Sequence, residues 1–223
     1  MTATKSYQIG PYTAQVLASG TSTEAIRKQL MNGRQMLIRP AAEWQQFTWS
    51  EQRMLLHETA TFVAPTEELV DWLDNTIGEE SAIEICCGNG WIGRELDIPI
   101  TDSKAHERPD VKLLYAMMKN PRIHYPADVR QMEALKAVNR YHPHTVIACW
   151  PAFKWEPSKQ IGSDYGVDFP KILKRVKRLI IVGNDHVHGA FSFMQTPHQT
   201  IHIPGLISRN EDRDADNIYI WEN

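Results

Sequence analysis

The chain has 223 residues, 42% of them apolar and 23% charged, and a formal net charge of −3. This balance is ordinary for a globular protein with one continuous core, and its acidity argues against a strong nonspecific grip on nucleic acid. The three cysteines, an odd number without framework spacing, exclude a disulfide scaffold and fit a reducing, cytoplasmic setting.

The N-terminus, MTATKSYQIGPY, has no apolar stretch of the signal-peptide kind. No run approaches the ~18 apolar residues of a membrane helix, so no membrane association is expected. Residues 1–20 are polar and turn-rich and read as an arm or a short strand pair. Thr21-Ser22-Thr23-Glu24 opens a helix that AIRKQLMNG carries to a stop at Gly33. QMLIRP reads as a short strand ending at Pro40. Residues 41–62 read as helical, with Trp44, Phe47, Met54, Leu55 and His57 on one side.

The pattern sharpens at Ala64. Pro65 suits a first turn, and Leu69, Val70, Trp72, Leu73 and Ile77 recur at helical spacing up to Gly78. AIEICC follows as a buried strand, then a glycine turn and the short helix WIGREL. PITD is a compact second strand. VKLLYAMMKN and MEALKAVNRY are helices, the first stopped by Asn120-Pro121. TVIACW is a strand closed by Pro151, FPKILKRVK a helix and RLIIVGN the next strand. QTIHI and NIYIW are two late strands with no helix between them. Alternating strands and helices predict an α/β fold, a mostly parallel doubly wound sheet. The last two strands predict a C-terminal antiparallel pair on it. Residues 1–63 read as a mainly helical N-terminal extension and 64–223 as the cofactor-binding domain.

The chemistry centres on SAIEICCGNGWIGREL, residues 81–96. Gly88-Asn89-Gly90-Trp91-Ile92-Gly93 spells GxGxxG, the fingerprint of a dinucleotide-binding turn. Glycines there let backbone approach a ligand, because a side chain at Gly88 or Gly90 would occupy the ligand's space. Three details disfavour NAD. Glu84 would set a carboxylate beside an anionic pyrophosphate, whereas it suits a cationic ligand with a free amine. A long helix leads directly into this strand, so the turn does not open the fold. Asp102 stands 14 residues beyond Gly88, short of the spacing of about 20 in the dinucleotide pattern.

These residues resemble the class I S-adenosylmethionine-dependent methyltransferases, a Rossmann-like superfamily, over residues 64–223. The family's first motif, acid-x-Gly-x-Gly-x-Gly, stands here as Glu84-Ile85-Cys86-Cys87-Gly88-Asn89-Gly90, with Cys86 in place of the first glycine. The resemblance implies a seven-stranded sheet with a reversed seventh strand. It implies S-adenosylmethionine as cofactor, held by Glu84, Cys86, Gly88 and Gly90, with Asp102 on the ribose and Asp128, in YPADVRQMEAL, on the adenine amine. The fourth-strand motif falls at Ala148-Cys149-Trp150-Pro151. It departs from the Asp/Asn-Pro-Pro-aromatic tetrad of enzymes that methylate amino groups of DNA bases, and Trp150 offers a stacking surface instead of a hydrogen-bond acceptor.

Other candidates flank this cleft. Asn184-Asp185-His186-Val187-His188-Gly189 follows the fifth strand and reads as a pocket-lining loop or as structural histidines. His-x-His can bind metal, but the spacing matches no metal-site pattern, and no metal is expected. The imidazole group is the side chain whose unperturbed range suits a general base, which makes His186 and His188 the candidates for one. Lys171, Lys174, Arg175, Lys177 and Arg178 read as a solvated helix face. Cys149 reads as a small buried residue and not as a nucleophile. The expected function is methyl transfer to an unidentified acceptor, a small molecule or protein favoured over nucleic acid, with His186, His188 and Trp150 as candidate catalytic residues and residues 1–63 as a cap over the acceptor. The alternatives are a methyltransferase-like binding or regulatory protein that has lost transfer, and an NAD-dependent oxidoreductase.

Overall fold

The computed structural model describes residues 21–223 and, of the first twenty, only the backbone of an antiparallel pair, Lys5–Ile9 with Tyr12–Val16. Its centre is a seven-stranded sheet. In chain order the strands are β1 (Ala82–Ile85), β2 (Ile100–Asp102), β3 (Arg130–Gln131), β4 (Thr145–Cys149), β5 (Arg178–Asn184), β6 (Gln199–Ile201) and β7 (Asp216–Glu222). Across the sheet they run β6-β7-β5-β4-β1-β2-β3. Pairings from β3 to β5 are parallel, and β7 lies antiparallel between β5 and β6. The sheet is thus the mostly parallel, Rossmann-like α/β architecture expected, with its C-terminal antiparallel pair.

The two faces are built by strict alternation. Ile83 and Ile85 of β1, Val146 and Ala148 of β4, Leu179 and Ile181 of β5, and Tyr219 and Trp221 of β7 point to one side. There they meet Ala137 and Val138 of α7 (Ala134–Tyr141) and Phe169 and Ile172 of α8 (Phe169–Leu173). Ala82, Ile147, Ile180, Val182, Ile218 and Ile220 point to the other. They pack on Leu69, Leu73 and Ile77 of α4 (Glu67–Ile77) and on Ile92 of α5 (Trp91–Glu95). Each fully buried Leu or Ile contributes about 1.5–3 kcal/mol. α4 starts where Thr66 accepts the Leu69 N–H and stops at Gly78, whose φ of 57° is left-handed.

The N-terminal stretch differs in detail from the sequence reading. α1 (Glu24–Leu30) ends before Gly33, because Met31-Asn32 turns back on Gln35-Met36 as a hairpin around that glycine. The helical reading of 41–62 splits into α2 (Ala41–Trp44) and α3 (Trp49–Glu58). The break is a capping box in which Thr48 and Glu51 satisfy each other's backbone N–H groups. Ile26, Leu30, Trp44, Leu55 and Leu56 form a small core, closed by Ile207 from the β6–β7 connection. The remaining helices are α6 (Pro109–Met117) and α9 (Asp185–His188). α6 buries only Val111, and Met117 on it is exposed. Among the described residues no helix is long and apolar enough to cross a membrane.

Candidate functional site

Parallel strands direct their carboxyl ends to one edge, and a cleft forms there. The cleft is a cavity of about 390 Å³, within the range of small-ligand sites. Its floor is the glycine turn after β1 and the ends of β2 and β4. Its walls are aromatic, with Phe62, Tyr115, Tyr125, Trp150, Phe153 and Tyr165 among them.

Glu84 lies inside this floor and not on the surface, since alternation sends it to the α4–α5 face. One carboxylate oxygen accepts the Gly93 N–H of α5 at 2.9 Å. Cys149, on the same face of β4, also hydrogen-bonds to it. Burial dominates over these donors, and nearby Asp102 adds to it, so the carboxyl is pushed up to about 8. Asp102 ends β2. Its two oxygens accept the Gly88 N–H at 3.0 Å and the Lys104 N–H at 2.7 Å, tying the glycine turn to the second strand. Burial still holds it above the usual carboxylate range.

The turn itself needs left-handed backbone at three positions. Cys86 has φ 52°, Gly88 55° and Gly90 70°. The resemblance places a glycine where Cys86 stands, and the left-handed φ supplies the physical reason for one. Gly90 is kept small by its packing and not by a ligand. A Cβ at Gly90 would meet Ile100 Cδ1 at 2.8 Å and Val129 Cγ2 at 3.2 Å, which is protein and not ligand space. At Gly88 it would meet only Ile123, at 3.6 Å. Gly93 is the tightest position, with Ile100 Cγ2 at 2.5 Å and Glu84 Oε2 at 2.6 Å from a Cβ there. The third glycine of GxGxxG therefore lets α5 sit directly on Glu84.

Glu84, Cys86, Gly88, Asp102 and Trp150 line the cavity together, and Gly90 caps α5 just behind it. Asp128 is not brought there. It precedes β3 instead of following it, and its carboxylate grips Arg94 at 2.7 and 3.0 Å on the surface. The acid that follows β3 is Glu133, at the start of α7. It is near enough to raise Asp102 and Cys86 electrostatically, as lesser contributions beside burial. Sequence reasoning missed it because β3 is two exposed residues with no apolar signal.

The two loop histidines part company. His186 is exposed and pairs with Asp212 at 2.8 Å, away from the cavity. His188 lines the cavity but is sealed in. Its Nδ1 accepts the Asn184 N–H at 3.0 Å, the ring also hydrogen-bonds to the Pro151 backbone, and burial holds it down at about 4. His106, another lining residue, accepts the Ile123 N–H at 3.1 Å and is pushed by burial to about 4. Both are neutral walls at pH 7. Trp150 has a left-handed φ of 54°, lies near-parallel to Phe62 at 6.5 Å and meets the His188 ring edge-on at 5.2 Å. Burial pushes the Cys149 thiol well up, which suits a passive wall. None of the basic residues around α8 lines the cavity; Lys171 pairs with Asp168 at the start of α8, and Arg178, which opens β5, pairs with Glu222. Among the described residues no group of three or more His, Cys, Asp or Glu side chains could hold a metal ion.

The N-terminal stretch touches the turn directly. The Asn89 amide donates to the Thr59 carbonyl and to the Thr61 hydroxyl, each at 3.1 Å, and Thr61 and Phe62 line the cavity.

No family model and no curated protein matches the chain. Among solved structures it is similar to a crystal structure from Thermoplasma acidophilum, at 14% identity over 82% of this chain and 95% of that one, with a TM-score of 0.37. It is also similar to an S-adenosylmethionine-dependent methyltransferase from Agrobacterium tumefaciens, at 11% identity over 69% of this chain and 60% of that one, with a TM-score of 0.33.

Proposed function

We propose that this protein binds S-adenosylmethionine in the cleft and transfers its methyl group to a small-molecule acceptor. The observation that carries the reading is the convergence of two buried carboxylates, Glu84 and Asp102, on one cavity floor behind a left-handed glycine turn. A buried acid with so little hydrogen bonding suits a cationic ligand, and Glu84 has that surrounding. Asp102 accepts from Gly88, Lys104 and Tyr125, which leaves one lone pair for a ribose hydroxyl. Glu133, following β3, takes the adenine role that the resemblance assigned to Asp128.

The cofactor supplies a methyl group already activated on a sulfonium, so the chain's task is alignment and exclusion of water. Trp150 and Phe62 would hold a flat acceptor in line, with the stretch from Thr59 to Val63 closing over it as the N-terminal cap. Neither cavity histidine has a nitrogen ready to take a proton. The acceptor atom therefore brings its own lone pair, as a neutral nitrogen or a thiolate does. The acceptor class follows from that requirement and from the aromatic walls.

The same lack of a base, with Trp150 in place of a polar acceptor-holding residue, favours as second reading a protein that binds the cofactor without transferring it. Calorimetric titration with S-adenosylmethionine, S-adenosylhomocysteine and NAD, on the wild type and on Glu84→Gln and Asp102→Asn, tests the cofactor. Binding in the micromolar range, weakened in both variants and indifferent to NAD, is expected. A folded protein giving no heat with either adenosyl ligand would sink both readings. Labelled methyl transfer to screened acceptors separates the first from the second.

A further inference from the structure

The cleft has two lips, and they are held very differently. One is the connection from β4 to α8, which lines the cavity with Phe153, Ser163 and Tyr165. It is folded back on itself. The Lys154 N–H donates to the Val167 carbonyl at 3.1 Å, and the Trp155 N–H to the Ser163 carbonyl and the Ser163 N–H to the Phe153 carbonyl at 2.9 Å each. Glu156 accepts the Ser192 N–H at 3.0 Å. Phe153 anchors this lip in the main core, stacked on Phe191 with ring centroids 4.5 Å apart.

The other lip is the connection from β2 to β3, which lines the cavity with Ala105, His106 and Tyr115. Its outer part is α6, and little holds it. α6 buries only Val111, and it carries Leu113, Leu114 and Met117, three of the six exposed large apolar side chains among the described residues. Tyr115 rests on His106 of its own connection, with ring centroids 4.4 Å apart. An element with so few buried apolar contacts belongs to the low-stability end of a structure and opens before the rest unfolds. One contact ties it across the cleft. Arg108, the residue that precedes α6, donates to Asp164 at 3.0 Å, and its guanidinium lies 5.8 Å from the centroid of the Tyr165 ring. Asp110 orients the same guanidinium at 2.8 and 3.2 Å. Among the described residues no other hydrogen bond or ion pair joins the two lips. Tyr115 and Tyr165 come near each other there, since burial, and Tyr165 after it, push the Tyr115 phenol up to about 12.

We propose that α6 is a gate over the cavity and that the Arg108–Asp164 pair is its latch; this rests on the proposed function only in taking that cavity as the ligand site. Both partners are exposed, so the pair is weak and easily remade, as a latch that opens for each ligand has to be. Opening takes only Val111 out of a packed position. Closing brings Tyr115 back beside Tyr165 and keeps water from the cleft. The β4–α8 lip stays in place as the fixed jaw.

The chain supplies its own probe. All three of its cysteines, Cys86, Cys87 and Cys149, line this cavity, so a thiol reagent reads entry to it and nowhere else. The folded full chain is labelled with N-phenylmaleimide, a flat uncharged reagent, and the rate is followed by intact mass. Arg108→Gln and Asp164→Asn should each label about two- to fivefold faster than the wild type, the shift that losing an exposed pair gives. The double variant should be no faster than either single one. Added salt should speed the wild type and leave both variants unchanged. Val111→Ala, which loosens the one buried anchor of α6, should also label faster. Two controls separate gate opening from global unfolding. Glu222→Gln breaks the exposed pair with Arg178 outside the cavity, and Ile172→Val trims the core at α8. Both should label at the wild-type rate, whatever they take from the melting temperature. Equal rates in the wild type and the latch variants, an unchanged rate in Val111→Ala, or rates that follow the melting temperature across the whole set would overturn the proposal. No adenosyl ligand enters the experiment, so failure of those ligands to bind would strike the proposed function and leave the labelling result standing.

Discussion

Glu84 ties the ionisation of the cleft to its ligand, and the link can be measured. In the empty protein its carboxyl is pushed up to about 8, chiefly by burial, against the Gly93 N–H at 2.9 Å and the Cys149 thiol. In an unfolded chain a glutamate titrates near ~4.3. Between those values the folded chain holds a proton that the unfolded chain lacks. The stabilisation linked to Glu84 is therefore fully present below about pH 4 and is lost as pH rises through about 8. At pH 7 the empty site is roughly nine-tenths protonated. A ligand cation within ~4 Å is worth about 4 kcal/mol at the effective dielectric of ~20 that suits protein sites. At about 1.4 kcal/mol per pKa unit, that lowers the carboxyl by roughly three units. Binding at pH 7 should then expel close to one proton, roughly 0.9. Titration calorimetry in two buffers of different ionisation enthalpy reads this directly. S-adenosylhomocysteine keeps the ammonium but not the sulfonium, so equal proton release with both ligands identifies the ammonium as the partner of Glu84. Glu84→Gln should abolish the release, and the difference in stability between it and the wild type should carry the pH slope described. Buffer-independent heats in the wild type, or an unchanged proton release in Glu84→Gln, would refute the reasoning.

The three glycines of the turn should rank by what a methyl group meets. Gly88→Ala, with only Ile123 at 3.6 Å, should cost about 1–2 kcal/mol in urea denaturation, for the left-handed φ alone. Gly90→Ala and Gly93→Ala run into Ile100 at 2.8 and 2.5 Å and should cost about 2–4 kcal/mol, overpacking included; equal costs at all three would contradict this. Asp128→Asn should lose at most about 1 kcal/mol, as an exposed pair with Arg94, and leave cofactor affinity unchanged. Glu133→Gln should weaken cofactor binding, and a reversed pattern by calorimetry would return the adenine role to Asp128. His106 and His188, both held down at about 4 by burial, lie below the ~6.5 of an exposed histidine. Their linked stability is present above about pH 6.5 and is lost as pH falls to about 4. His188→Gln should flatten part of that acid limb in thermal unfolding, and an unchanged limb would show that His188 takes up its proton as readily folded as unfolded.

The parallel strands were legible because each is a run of β-branched residues buried on both faces, as in TVIAC and LIIV. β3 was not, since backbone pairing alone makes Arg130-Gln131 a strand. That single omission hid Glu133, the acid that follows β3, and left Asp128, which precedes it, as the candidate. The capping box at Thr48 and Glu51 was written in the sequence as T-x-x-E, yet an apolar side running through 41–62 masked the break. Glu84 and Asp102 were found by motif, but their burial follows from which face of the sheet each strand position takes.

Backbone strain gives an independent pointer to the same cleft. Ala60, Asp97, Lys119 and His142 have left-handed φ, but each stands just past a helix, where such a residue ends the turn, and Gln160, with φ 56°, is exposed in the turn after Glu156 and outside the cavity. Cys86, Lys104 and Trp150 have no such excuse. They follow β1, β2 and β4, with φ of 52°, 57° and 54°. Each costs about 1–2 kcal/mol as a non-glycine residue in this region, and a glycine at any of them would relieve it. Strain of this kind persists only where surrounding structure fixes it. Here the fixing bonds can be named: Gly88 N–H to Asp102 beyond Cys86, Lys104 N–H to Asp102, and Trp150 N–H to the Val182 carbonyl at 2.7 Å. All three turns stand at the carboxyl edge of the sheet, where Cys86, Asp102 and Trp150 line the cavity. A sheet that only had to fold would gain by closing that space, and holding it open at three separate strand ends is what a ligand site requires.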